Sequence, residues 1–154
     1  MTYYFAYGSN MSRAHMARHC PGAAAIGTAV LAGHRFIITT DGYASIVPQS
    51  GGIVHGVLWR LRPRDISALN TYESLDSGLY AMTTLPVRTD GRRVAAMAYV
   101  ARSRREGRPK AGYLDGILDA AREWAFPDDY VRSLTRWAPA RWRGARAAES
   151  GEIG

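Results

Sequence analysis

The sequence predicts a single α+β domain built on a largely antiparallel, barrel-like sheet. Three observations carry that reading. Segments rich in Ala, Val, Ile, Thr and Tyr, punctuated by glycine turns, fill the middle of the chain from Ala23 to Ala101. The one extended helical period of apolar residues comes late, between Tyr113 and Phe126. Strands followed by helices, without regular alternation, point to α+β rather than α/β. At 154 residues, 47% of them hydrophobic, the chain has the length for one core and shows no internal repeat or linker.

The first strand is Tyr3-Tyr4-Phe5-Ala6-Tyr7, and it stops at Gly8-Ser9-Asn10. Small residues at a strand end that leads into a helix leave backbone N–H groups for an anion or a polarised carbonyl. Ser12 is placed to cap a short helix from Arg13 to about His19, halted by Pro21-Gly22. His15 and His19 share one helix face and Cys20 follows, a spacing that can bind zinc. However, Met16 stands where a zinc-protease motif needs glutamate, so a partly exposed helix face is the reading adopted. Ala23 to Thr40 reads as two strands meeting around Ala32-Gly33. After the Asp41-Gly42 turn, Tyr43 to Pro48 is a short strand or extended loop, and Gln49-Ser50-Gly51-Gly52 a further turn.

Ile53 to Arg60 is almost continuously apolar, as a doubly covered central strand would be. Pro63 suits the first turn of a helix that carries Ile66, Leu69 and Asn70 to Tyr72-Glu73 and ends near Ser74. Tyr80–Arg88 and Arg93–Ala101 form a hairpin around Thr89-Asp90-Gly91. The basic stretch Ser103 to Lys110 reads as a surface loop. Pro127-Asp128 opens a last helix through Leu134. The domain is expected to span residues 1–138, with 139–154 a partly flexible, charged tail.

The formal net charge is +7, and Lys110 is the one lysine among 20 basic residues. The arginines are scattered apart from the Arg102–Arg108 loop and a C-terminal set, and no nucleic-acid motif accompanies them, so no nucleic-acid partner is expected. One cysteine excludes an internal disulfide. With no signal-like N-terminus and no long apolar run, a cytoplasmic protein without a membrane partner is expected. Walker A, G-x-G-x-x-G, G-x-S-x-G and CxxC patterns are all absent. What remains is the Gly8-Ser9-Asn10 turn and a carboxylate in a Tyr- and Gly-rich setting, Tyr72-Glu73-Ser74-Leu75-Asp76-Ser77-Gly78-Leu79-Tyr80. By composition alone, Glu73 would be a solvated acid at a helix end.

Four segments in order change that reading. Tyr4 to Met11 contains Y-G-S-N-M, His55 to Trp59 reads H-G-V-L-W, and Leu69-Asn70-Thr71-Tyr72-Glu73 is followed by Gly78 and Tyr80; Pro109 then precedes Tyr113. Together they resemble the γ-glutamylcyclotransferase family, with its AIG2-like and γ-glutamylamine cyclotransferase branches, over roughly Tyr3 to Leu134. Asn70 stands where the family commonly has aspartate. The resemblance implies a small mixed, mainly antiparallel β-barrel with flanking helices. It implies a reaction in which a small γ-glutamyl amine or amino acid cyclises to 5-oxoproline and releases the free amine. It assigns the acid/base role to Glu73 and substrate contacts to Tyr4, Phe5, Ala6, Tyr7, Gly8, Ser9, Asn10 and Tyr113, with Asn10 also a candidate cap for the next helix. No metal or organic cofactor is implied. The reading set against it keeps the fold without activity: a ligand- or partner-binding module, motivated by the basic loop and by Trp137 and Trp142 as exposed aromatics.

Overall fold

The computed structural model of the chain describes residues 2–72 and 78–138. Five strands close a barrel in the order β1-β3-β2-β4-β5, where β1 is Thr2–Ala6, β2 Ala24–Ile38, β3 Ala44–Leu61, β4 Tyr80–Thr89 and β5 Arg92–Ala101. Four helices flank it: α1 Arg13–His19, α2 Pro63–Tyr72, α3 Tyr113–Glu123 and α4 Asp128–Thr135. The chain therefore adopts the α+β architecture its sequence predicts. The sheet is mixed because one seam, Tyr4 beside Met97, is parallel while every other pairing is antiparallel.

Local chemistry explains most element boundaries. The Ser12 side chain accepts the His15 N–H at 3.1 Å and so starts α1. Asp65 closes the first turn of α2 by accepting the Arg62 N–H at 2.8 Å, and is itself buried. The β4–β5 turn places Asp90 at φ 47° and Gly91 at φ 73°, the two left-handed residues of a type I′ hairpin. Leu114, Ile117, Leu118 and Ala121 form the buried stripe of α3.

Two expectations are corrected. The segment before Ile38 is one strand, not two, since Gly33 at φ 77° absorbs an irregularity in the ladder and the strand bends without reversing. Opposite it, Gln49 to Gly52 does not end a strand: pairing jumps from His34–Pro48 to Ala32–Ile53, and those four residues bulge inside a continuous β3. The basic 103–110 stretch is a surface loop, as its sequence predicts, and is tethered to the end of β2, with Thr40 N donating to Arg105 O at 3.0 Å, Gly107 N to Ile38 O at 2.8 Å, and Arg35 paired with Glu106 at 2.7 Å. The core runs from the barrel interior, through Phe5, Leu31, Val54 and Leu58, out to Met11, Met16, Ile117 and Leu134 under the helices. Fully burying each such side chain contributes about 1.5–3 kcal/mol. Among the described residues no helix is long and apolar enough to cross a membrane. The expected tail, 139–154, lies outside the described residues.

Candidate active site

Where β1 ends, the chain makes one 3-10 turn, Ser9–Met11, before Ser12 starts α1. The turn's own bonds use the Met11 N–H (to Gly8 O, 3.1 Å) and the Ser12 N–H (to Ser9 O, 3.2 Å). The Gly8 and Ser9 amides are therefore not consumed by it. Two indoles clamp the turn: Trp59 Nε1 on β3 donates to Asn10 O at 3.1 Å, and Trp124 Nε1 at the end of α3 donates to Met11 O at 2.8 Å. Asn10 is buried inside this clamp, and its Nδ2 donates to Tyr4 Oη at 2.9 Å. The helix cap considered for Asn10 is supplied by Ser12 instead.

Against the turn lies a cavity of about 230 Å³, lined by Tyr4, Tyr7, Gly8, Ser9, Asn10, Tyr43, Ala44, Tyr72, Leu79, Tyr80, Tyr99 and Tyr113. Seven of the nine tyrosines are in this wall, and none of the lining residues carries a formal charge. The rings are fixed by their hydroxyls. Tyr80 Oη donates to Ala44 O at 2.7 Å while Ala44 N donates to Tyr113 Oη at 3.1 Å, so two tyrosines grip the first residue of β3. Tyr7 Oη donates to the Tyr99 carbonyl, and Tyr99 Oη to Asn70 Oδ1 at 2.6 Å. Asn70, at the position where aspartate is common, thus serves as an acceptor that locks a wall residue. Tyr43 meets Tyr113 edge-on at 5.3 Å between centroids, and Lys110 Nζ stands 5.7 Å from the Tyr43 ring centre.

Of the residues singled out from sequence, Tyr4, Tyr7, Gly8, Ser9, Asn10 and Tyr113 converge on this cavity. Phe5 and Ala6 do not line it. Both are buried, and the Phe5 ring packs against Gly56 of β3. Glu73 lies outside the described residues, yet its chain neighbour Tyr72 lines the cavity, as does Tyr80 beyond the segment. Sequence reasoning misses Tyr43, Ala44, Leu79 and Tyr99. Nothing local marks them, because only barrel closure brings them beside the turn. Cys20 is buried, its thiol directed at Asp65 O (3.6 Å), and burial pushes it up to about 11, which removes it as a thiolate nucleophile.

The comparisons with known proteins agree with this architecture. A family model described as "AIG2-like family" matches residues 53–134, more than half of the chain. The Mus musculus protein named gamma-glutamylcyclotransferase is 27% identical over 161 aligned residues, which cover 97% of this chain and 86% of that protein. The Homo sapiens protein of the same name is 26% identical over the same shares. A solved gamma-glutamyl cyclotransferase structure superposes with a TM-score of 0.84 over 99% of this chain and 96% of its own, and at 24% identity it speaks for the fold.

Proposed function

The chain belongs to the AIG2-like family, and from that premise we propose that it is a γ-glutamylcyclotransferase-type enzyme. It cyclises a γ-glutamyl amine or γ-glutamyl amino acid to 5-oxoproline and releases the free amine. One observation carries the reading: Tyr72, the residue before Glu73, walls the same cavity as Gly8 and Ser9. The names of the mouse and human relatives support it.

The chemistry needs little beyond positioning. The α-amine and the γ-carbonyl belong to one molecule, so a folded substrate already has a high effective molarity. The α-ammonium gives a proton to the Glu73 carboxylate, and the freed α-nitrogen attacks the γ-carbonyl carbon. The resulting oxyanion is held by backbone N–H groups of Gly8 and Ser9, donors that require no cation. As the tetrahedral species collapses, the bond to the departing nitrogen breaks and Glu73 returns the proton to it. Such general acid–base transfer is worth about 10²–10⁴-fold. A wall of tyrosines suits both proton transfer and substrate binding. The rings exclude water and favour a more basic carboxylate, while their hydroxyls offer hydrogen bonds to a zwitterionic head.

The test is Glu73→Gln. The variant is expected to fold with wild-type stability and to lose about 10²–10⁴-fold in 5-oxoproline release across γ-glutamyl compounds that the wild type turns over. Undiminished turnover would remove Glu73 from the mechanism. Of the features that motivate the inactive-module reading, the basic loop is exposed, the Trp137 ring is half-buried and packs 6.4 Å from Phe36, and Trp142 lies outside the described residues.

A further inference from the structure

The mechanism leaves one polar cluster unused. His15 and His19, one turn apart on α1, both pack on the ring of Tyr72 at the end of α2. Centroid distances are 5.3 Å for His15, 4.1 Å for His19, and 4.6 Å between the two imidazoles. His15 Nε2 lies 2.7 Å from Tyr72 Oη, a hydrogen bond across 57 residues of sequence. Tyr72 is the last described residue before Glu73 and belongs to the cavity wall. On its other side, His15 lines a second cleft of about 280 Å³ between α1 and α3, together with Ser9, Ser12, Arg18, Asp119 and Glu123. His15 thus touches the active-site wall from behind, at the point where the chain enters the segment with the proposed base.

We propose that His15 is a positioning residue for the cyclisation: its neutral imidazole accepts the Tyr72 hydroxyl hydrogen bond and, with the His19 ring packed at 4.1 Å, fixes the pocket-wall ring of the residue that precedes Glu73 in the chain. This rests on the cyclotransferase reading of the same pocket. The direction of the bond follows from chemistry, since a phenol is a better donor than a neutral imidazole N–H, and an imidazole nitrogen a better acceptor than a phenol oxygen. Accepting at Nε2 requires the proton on Nδ1.

The clasp is therefore sensitive to acid. Around His15 stand Arg18 and His19 from α1, Tyr72 from α2, and Asp119 and Glu123 from α3 across the cleft. Burial first, then the charges of His19 and Arg18, hold the His15 pKa below the ordinary histidine value, so the accepting form prevails at neutral pH. Protonation turns His15 into a donor. The Tyr72 hydroxyl hydrogen must then turn away, and a positive charge is placed beside Arg18 and His19.

Two measurements on the full chain test this. In ¹⁵N NMR spectra at neutral pH, His15 is expected as the Nδ1–H tautomer, and Tyr72→Phe is expected to shift it toward Nε2–H. An Nε2–H tautomer in the wild type, or a spectrum unchanged in Tyr72→Phe, overturns the clasp whether or not the protein is active. In kinetics, His15→Ala is expected to lose about tenfold in kcat/KM, the worth of one hydrogen bond. His15→Gln, which keeps an acceptor that cannot titrate, is expected to recover most of that loss. It is also expected to remove an acid-side transition below pH ~6.5 from the kcat/KM profile, leaving only the transition of the base itself. A His15→Gln profile that superposes on the wild type overturns the positioning role. A wild type that releases no 5-oxoproline from any γ-glutamyl compound overturns the cyclotransferase reading, and His15's part in it, while the tautomer still decides the clasp.

Discussion

At the scale of single residues, the site is defined by how little room it leaves at Gly8. A Cβ there would lie 3.2 Å from Ala44 Cβ and 3.2 Å from Tyr113 Oη, tighter than ordinary packing and directed at a wall already bonded through Ala44 N. Gly8→Ala is accordingly expected to press Tyr113 away. It should cost about 1–3 kcal/mol of stability, the usual range for overpacking. A larger effect is expected on substrate binding than on the chemical step, read as a rise in KM with kcat little changed. The need for a small residue here was legible in the sequence as Gly8-Ser9-Asn10. The identity of the neighbours that impose it was not, because Ala44 and Tyr113 are distant in the chain and meet it only in three dimensions.

At the scale of elements, the decisive feature is the single turn that joins β1 to α1. It is too short to hold itself rigidly, and its carbonyls are tied by indoles from β3 and from the end of α3. Trp124 is itself covered by the Arg13 guanidinium, 3.9 Å from the ring centre, so α1 and α3 are clamped over the turn together. Trp124→Phe keeps an aromatic ring but deletes the N–H to Met11 O. The variant is expected to lose about 1–2 kcal/mol in denaturant unfolding and to bind substrate more weakly, with kcat less affected. Sequence patterning located α1, α3 and the β4–β5 hairpin, whose signals are local: a serine cap, an apolar stripe and an Asp-Gly turn. It split β2 at Gly33 because a glycine in a strand marks a bulge or a reversal equally well. Only the partner strand decides which.

At the scale of the whole molecule, two half-buried histidines couple the fold to pH. Burial lowers the pKa of both His15 and His55, the latter packed between Phe126 (5.6 Å) and Tyr130 (4.6 Å), with Asp129 pulling weakly the other way. A histidine whose folded pKa lies below its unfolded value binds more protons when unfolded, so stability rises with pH across that interval. The melting temperature is therefore expected to be flat above pH ~7, to fall as pH drops below ~6.5, and to level off below the folded pKa values. His55→Phe, which preserves an aromatic ring between its neighbours, is expected to flatten that slope in calorimetry. An unaltered slope would place the pH dependence elsewhere.

By itself, the sequence determined the α+β class, the four helices, the β4–β5 hairpin, and the turn at Gly8-Ser9-Asn10. Each of those depends on interactions within a few residues or on a repeating pattern along one element. Tertiary structure alone decided that seven tyrosines share a wall, that Phe5 and Ala6 face the core, and that His15 reaches Tyr72. Barrel closure brings residues tens of positions apart into hydrogen-bonding range, and no pattern along a single segment encodes which distant partner its side chains will meet.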